Sequence, residues 1–286
     1  MKTMKRLLFC LSLSLVMICF YSCSDEKEIG LDTQSTQQDA NKTQEEKIQE
    51  LIEFVGTLNT NLVIEQVQTR GRFWDRIRRI LLGDAYGYGW GVDNGFSPRG
   101  GLIAAAVFSI IVAFDNSSPR AWKLNSDWKV YDSPLRDYEI IGNDHNKVVY
   151  NLMITDRTIA NGTFTNDYLC TATNKKLMSY GYSDEMSTLQ RGMLLGVMIE
   201  LKNCTTVEQL NNLMRRYAPD RMSEFEFVET YVNGLASISD KASVRSYTRQ
   251  INARIDSSSF NGAVRSRLKT MVAIAENSKA LWNEVN

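Results

Sequence analysis

"RFWDRIRRILLGDAYGYGWGVDNGFSPRGGLIAAAVFSIIVAF", residues 72–114, is the stretch on which the fold turns. It opens as a basic amphipathic segment, passes seven glycines between Gly83 and Gly101, and ends in a 13-residue apolar run, Leu102 to Phe114. That run is short for a bilayer span, which needs about 20 residues, so it reads as a buried core helix. Glycine ahead of it permits close backbone approach or left-handed turns. The stretch therefore predicts a buried helix pair, a glycine-rich hairpin, with Tyr86, Tyr88, Trp90 and Phe96 as candidates to fill a groove. A second reading makes residues 70–114 a membrane-inserting hairpin of basic amphipathic helix, glycine hinge and apolar helix.

Nucleotide motifs fail on spacing. Val92 and Asn94 stand where a third glycine would complete G-x-G-x-x-G. Gly95 and Gly100 have the P-loop interval, but Gly101 and Leu102 replace the Lys and Ser/Thr that hold phosphate and magnesium.

Outward from this stretch the helical signature repeats. Ile48, Leu51, Ile52, Val55, Leu58 and Leu62 recur at three- and four-residue steps, the mark of one apolar helix face. Ser183 and Asp184 are expected to cap a helix carrying Met186, Leu189, Met193, Leu194, Val197 and Leu201. Thr205 with Glu208 has the spacing of a capping box for a helix that Pro219 ends, and Ser223 with Glu226 suggests another. Asp240 is placed to cap "KASVRSYTRQINARI", and residues 261–285 close the chain. Four prolines and little strand-like alternation predict an all-α fold, a helical bundle. Residues 116–142, with Pro119, Trp122, Trp128 and Pro134, read as a long aromatic-bearing loop and a point of subdivision near 120–142. Loops of that length are uncommon unless functional or disordered.

The N-terminus carries an address. Lys2, Lys5 and Arg6 precede an apolar core from Leu7 to Phe20, and Ser22 is a small residue at the cut. A leader ending small residue–Cys resembles a bacterial lipoprotein signal, which implies a signal peptide at 1–22 and lipidation of Cys23. Acids after the cysteine, "CSDEKE", resemble the signal that sends Bacteroidetes lipoproteins to the outer face of the outer membrane. Several acyl chains make such an anchor stable. Residues 23–44 are polar and read as a flexible tether, with a reach of about 25 Å. A single α-helical domain at 45–286 follows. The 33 basic and 33 acidic residues, three of the bases lying in the leader, leave a mature charge of about −3. That balance argues against a nucleic-acid partner.

Beyond the leader and the anchor, Cys170 and Cys204 remain. They form either a disulfide, contributing about 3–4 kcal/mol, or two buried free thiols. His145 is the sole histidine, between Asp144 and Asn146 at the expected start of a helix. No G-x-S-x-G elbow supplies it with a nucleophile, and a lone histidine lacks the ligand set zinc requires. A structural role for it is the simpler reading. Glu224, Glu226, Asp184 and Glu185 read as helix-entry charges. No metal or cofactor is expected.

Two elements carry a family resemblance. "WDRIRRILLGDAYGYGWG" is similar to a Trp–basic–DxxG–glycine element, and "IIGNDHNKVVYNLM" to a Gly-x-x-His-Asn element, matched at Asp84, Gly87, Gly91, Gly142, His145 and Asn146. They recur together in lipoproteins and secreted proteins of the Bacteroidetes without an assigned activity. The expectation is an outer-membrane lipoprotein that binds or assembles, contacting a protein or glycan through Asp84, Tyr86, Tyr88, Trp90, Trp122, Trp128, His145 and Asn146. The alternatives are a cell-envelope hydrolase using His145 or a cleft glutamate, and a membrane-active protein using residues 70–114.

Overall fold

The computed structural model describes residues 42–63, 72–114, 122–182 and 186–283. Lys42–Asn286 forms one compact unit. The leader, Cys23 and most of the tether lie outside the described residues, as do the proposed caps Ser183 and Asp184.

The organising element is a helix buried on every side. In α1 (Gln44–Val63) the apolar face predicted from residue spacing turns Leu51 and Val55 fully inward. α2 (Arg72–Asp93) is one unbroken helix through Gly83, Gly87, Gly89 and Gly91. A turn containing Gly95, at φ +80°, leads to α3 (Gly101–Ala113), whose 13 residues are all buried. At 1.5 Å per residue α3 is about 20 Å long, and no helix of the described residues is long and apolar enough to cross a membrane.

The pairing of α2 with α3 explains the glycines. Gly83, Gly87 and Gly91 recur every fourth residue and so share one face. A Cβ on Gly87 would stand 2.7 Å from the Ala104 carbonyl oxygen and 2.9 Å from the Phe108 ring. One on Gly91 would stand 3.2 Å from Gly101 Cα. Tyr86, Tyr88 and Trp90 leave that face free and pack to either side: Tyr86 Oη donates to Asn211 Oδ1 at 2.9 Å, and the Trp90 ring stacks on Phe108 at 5.9 Å.

The remaining helices wrap this pair. They are α4 (Asp137–Thr155), the short α5 (Arg157–Ala160), α6 (Asn166–Met178), α7 (Thr188–Leu201), α8 (Val207–Tyr217), α9 (Met222–Ser237), α10 (Lys241–Ser257) and α11 (Gly262–Leu281). α11 packs on α4 and α2, and α1 covers α9. The architecture is the all-α bundle expected from the sequence. A single extended pairing occurs among the described residues, β1 (Lys123–Leu124) antiparallel to β2 (Trp282–Asn283).

Several local readings shift. α8 is capped by Thr206, which accepts from Gln209 N at 3.1 Å, because Gln209 and not Glu208 folds back onto the Thr205 and Thr206 amides. α7 is capped by Ser187 with Gln190. α9 grows out of a 3-10 turn at Pro219–Arg221 without the Ser223 box. Asp240 caps α10 as expected, accepting from Ser243 N at 2.8 Å. The aromatic loop is shorter than 116–142: Glu139 accepts from Arg136 N at 2.9 Å and starts α4 at Asp137, so His145 lies in its third turn.

Candidate functional site

The two motif elements meet in the core. Asp84 from α2, Ser109 from α3, His145 and Asn146 from α4, and Asn277 and Ser278 from α11 are all fully buried. Ser278 Oγ donates to Asp84 Oδ2, and His145 Nε2 lies 3.7 Å from the same oxygen. Asn146 Nδ2 donates to the Asn277 carbonyl at 2.6 Å and to the Trp128 carbonyl at 3.1 Å. Gly142 admits α11, since a Cβ there would stand 2.5 Å from Asn277 Nδ2 and 2.9 Å from the Ala273 carbonyl. Burial pushes the Asp84 carboxyl well above its usual range and holds His145 down to about 4, so the uncharged form of each is favoured.

This cluster has the residue types of a hydrolytic triad and the wrong connections. The serine donates to the aspartate, and His145 Nε2 stands 3.7 Å from that carboxyl oxygen, beyond hydrogen-bond distance. All of it is closed off by apolar side chains. What it does is fix the mutual register of α2, α3, α4 and α11 with directional contacts in an otherwise apolar interior.

The eight residues expected to form one groove therefore do not form one. Tyr86, Tyr88 and Trp90 are interior residues, at most 2% exposed. Trp122 and Trp128 are half-buried and act as loop anchors. Trp122 Nε1 donates to the Ala113 carbonyl at the end of α3 at 2.9 Å, and its ring meets Trp282 edge-on at 5.2 Å. Cys170 and Cys204 are buried free thiols: Cys170 Sγ donates to Met198 Sδ at 3.3 Å, Cys204 Sγ to the Glu200 carbonyl at 3.6 Å.

An opening lies instead where the loop after Trp128 meets α10. It has a volume of about 450 Å³ and is lined by Tyr131, Asp132, Arg136, Tyr138, Arg245, Arg249 and Asn252, among others. Asn143 holds the loop in place, donating to the Tyr131 carbonyl at 3.1 Å. Behind it, Tyr131 Oη donates to Glu276 Oε2, and Arg245 reaches Glu276 Oε1 at 3.4 Å while covering the Tyr131 ring at 4.3 Å. Glu276 is buried, and burial pushes its carboxyl up to about 7 despite the tyrosine and the guanidinium. A second opening, lined by Asp127, Lys241, Arg245 and Glu276, adjoins the other side of the same arginine. Among the described residues no group of three or more His, Cys, Asp or Glu side chains is placed to hold a metal ion.

Tyr131, Tyr138, Arg245, Arg249 and Glu276 were not singled out by sequence reasoning. Only Glu276 carries a local signal, a lone acid inside the apolar run "MVAIAENSKALW". The others become neighbours by long-range packing. No family model, no curated protein and no solved structure matches the chain.

Proposed function

We propose that this protein is a lipid-anchored outer-membrane protein, facing the cell exterior, that binds a protein or glycan partner as an accessory component. The observation that carries the binding half is the opening between the Tyr131–Tyr138 loop and α10, where aromatic, cationic, acidic and amide side chains converge on about 450 Å³. Ligand sites are commonly concave openings of roughly 300–1,000 Å³ with a few convergent polar groups. The anchoring half rests on the basic–apolar–Ser22–Cys23–acid pattern.

A hydrolase using a cleft glutamate has a buried candidate in Glu276. Both of its carboxylate oxygens are already engaged, one by Tyr131 and one by Arg245, so binding is the better reading. A membrane-active role would require α3 to leave a core in which all 13 of its residues are buried.

Two measurements test the proposal. Intact mass of the membrane-extracted protein should equal residues 23–286 plus acyl groups, and Cys23→Ala should abolish the acylation; protease shaving of whole cells should release the body. Photo-crosslinking from position 138 in intact cells should capture a partner or glycan. An unacylated mature species would remove the anchor, and capture that is unchanged when the opening is blocked by Asn252→Trp would remove the binding site.

A further inference from the structure

We propose that the outer face of α7 is a self-association surface, on which a second copy of this chain lays its own α7 antiparallel, glycines against glycines. The face shares no residue with the α10 opening, so the inference depends neither on that site nor on the anchor.

α7 packs on α3, α6 and α8 and buries Leu194, Val197, Met198 and Leu201. The other side of such a helix is ordinarily charged or polar. Here it is not. Leu189 and Ile199 are 73% and 63% exposed, more than any other large apolar side chain among the described residues. Gly192 is exposed between them and Gly196 partly so. The two charges of the helix are held within the chain, Arg191 by Asp167 at 2.6 Å and Glu200 by Tyr217 Oη at 2.6 Å and by Arg216. The remaining exposed large apolar residues are Ile154, Tyr168 and Met178, on the end of α4 and on α6, which packs beside α7.

The glycines say what kind of object fits this face. In a helix interior each costs about 1 kcal/mol relative to alanine. The glycines of α2, with Gly142 and Gly234, each meet another element within 3.2 Å of a notional Cβ, whereas Gly192 and Gly196 meet nothing within 4 Å. Gly56 of α1 is equally open, but it stands among Glu53, Thr57 and Thr60 and not in an apolar face. Four residues apart, Gly192 and Gly196 cut a notch of the kind that Gly87 and Gly91 offer to α3. A notch serves another rigid backbone. A lipid surface would use an unbroken apolar face flanked by cations.

The spacing selects a second copy as that backbone. In a two-fold interface residue i meets j and j meets i. The face mirrors itself about the level of Leu194: Leu189 answers Ile199, Gly192 answers Gly196, and Met193 answers Leu195. Antiparallel pairing therefore sets Leu189 of one copy level with Ile199 of the other and closes notch on notch. α6 and α7, each about 20 Å long and 8–10 Å apart, offer roughly 400 Å² per copy. Twice that is below the size of a standard stable interface, so the association is weak and reversible.

The test uses the mature chain, residues 23–286, carrying Cys23→Ala, which has neither an acyl group nor a thiol at that position. Sedimentation over a concentration series should show a monomer–dimer equilibrium. Leu189→Asp and Ile199→Asp, both at exposed positions, should each raise its dissociation constant about tenfold or more. Gly196→Ala should weaken the pair as well, although its methyl group meets nothing in the single chain. Register is read with Leu189→Cys and Ile199→Cys and a short bismaleimide, the chain without either substitution serving as blank. A mixture of the two variants should crosslink to a dimer. Each alone should not, because like positions lie about 15 Å apart along the paired helices. A chain that stays monomeric to about 1 mM overturns the inference, whether or not vesicles bind it. A dimer unaffected by both aspartates overturns it too, as does crosslinking of either variant alone as efficient as that of the mixture.

Discussion

Glu276 and His145 are both buried ionisable groups, and burial moves them in opposite senses. The Glu276 carboxyl, pushed up to about 7 from its ordinary value of 4.5, is favoured in its protonated form by folding. Between those values the native chain binds a proton that the unfolded chain has released, so stability falls as pH rises. The change across the window is about 3 kcal/mol. His145, held down to about 4 from 6.5, is the reverse: the unfolded chain takes up a proton the native chain refuses, so its contribution is lost as pH falls from 6.5 towards 4. The two slopes oppose one another between pH 4.5 and 6.5. Urea unfolding of the wild type and of Glu276→Gln, measured from pH 4.5 to 7.5, isolates the first. The stability of the wild type relative to the variant should drop by about 3 kcal/mol over that range. A constant difference would mean that Glu276 has the same pKa in the folded and unfolded chains, with Tyr131 and Arg245 just offsetting its burial. The sequence placed Asp84 and His145 in two motifs but not beside each other, because 61 residues of chain separate positions whose contact is made only when α2 and α4 pack on α3 and α11.

At the scale of helices, the periodic apolar faces were legible, while of the caps expected at Thr205, Ser223 and Asp240 only Asp240 caps its helix. α1, α8 and α10 are long runs with a strong local pattern, and local pattern suffices for such elements. The glycine stretch was legible as a close helix pair, yet its aromatics suggested a groove. Composition could not separate the glycine strip of α2, Gly83, Gly87 and Gly91, from the flanking aromatics Tyr86 and Trp90 until the direction of α3 was known. The same residue type then makes opposite predictions in different helices. Gly87→Ala forces a Cβ against the Ala104 carbonyl and the Phe108 ring and should destabilise the protein by about 1–3 kcal/mol. Gly196, in α7, has no heavy atom within 4 Å of its notional Cβ, and Gly196→Ala should stabilise by about 0.5–1 kcal/mol through the unfolded chain alone. Thermal or urea unfolding of the two variants decides it. Equal signs would mean that α2 and α3 can move apart to accept a methyl group, and the close pairing would lose its role in the fold.

At the scale of the whole molecule, the bundle seals its interior against chemistry as well as water, and the cysteines report on this. Residue types left the pair open between a disulfide and free thiols, since sulfur contacts depend on how α6 and α7 sit on the core. Their observed partners are Met198 and the Glu200 carbonyl, so both sulfurs are already directed elsewhere. Burial pushes the Cys170 thiol up to about 12 and raises that of Cys204, which removes the reactive thiolate as well as access to it. Modification then requires opening of the fold, and its rate falls with the population of open states. For a domain stable by about 5 kcal/mol, protection is several thousandfold if opening is global. Maleimide labelling without reductant, read by peptide mass, should leave both cysteines unmodified in the native protein and modify both in concentrated urea. Labelling in urea only after reduction would show that the pair is oxidised, and α6 and the end of α7 would have to be repacked to let the sulfurs meet. Rapid native labelling of Cys204 alone, which is 7% exposed against 0% for Cys170, would instead locate a local opening where α7 meets α8. Rapid native labelling of Cys170 would contradict the sealed core on which the assignment of Asp84 and His145 to register, and of ligand binding to the α10 opening, depends.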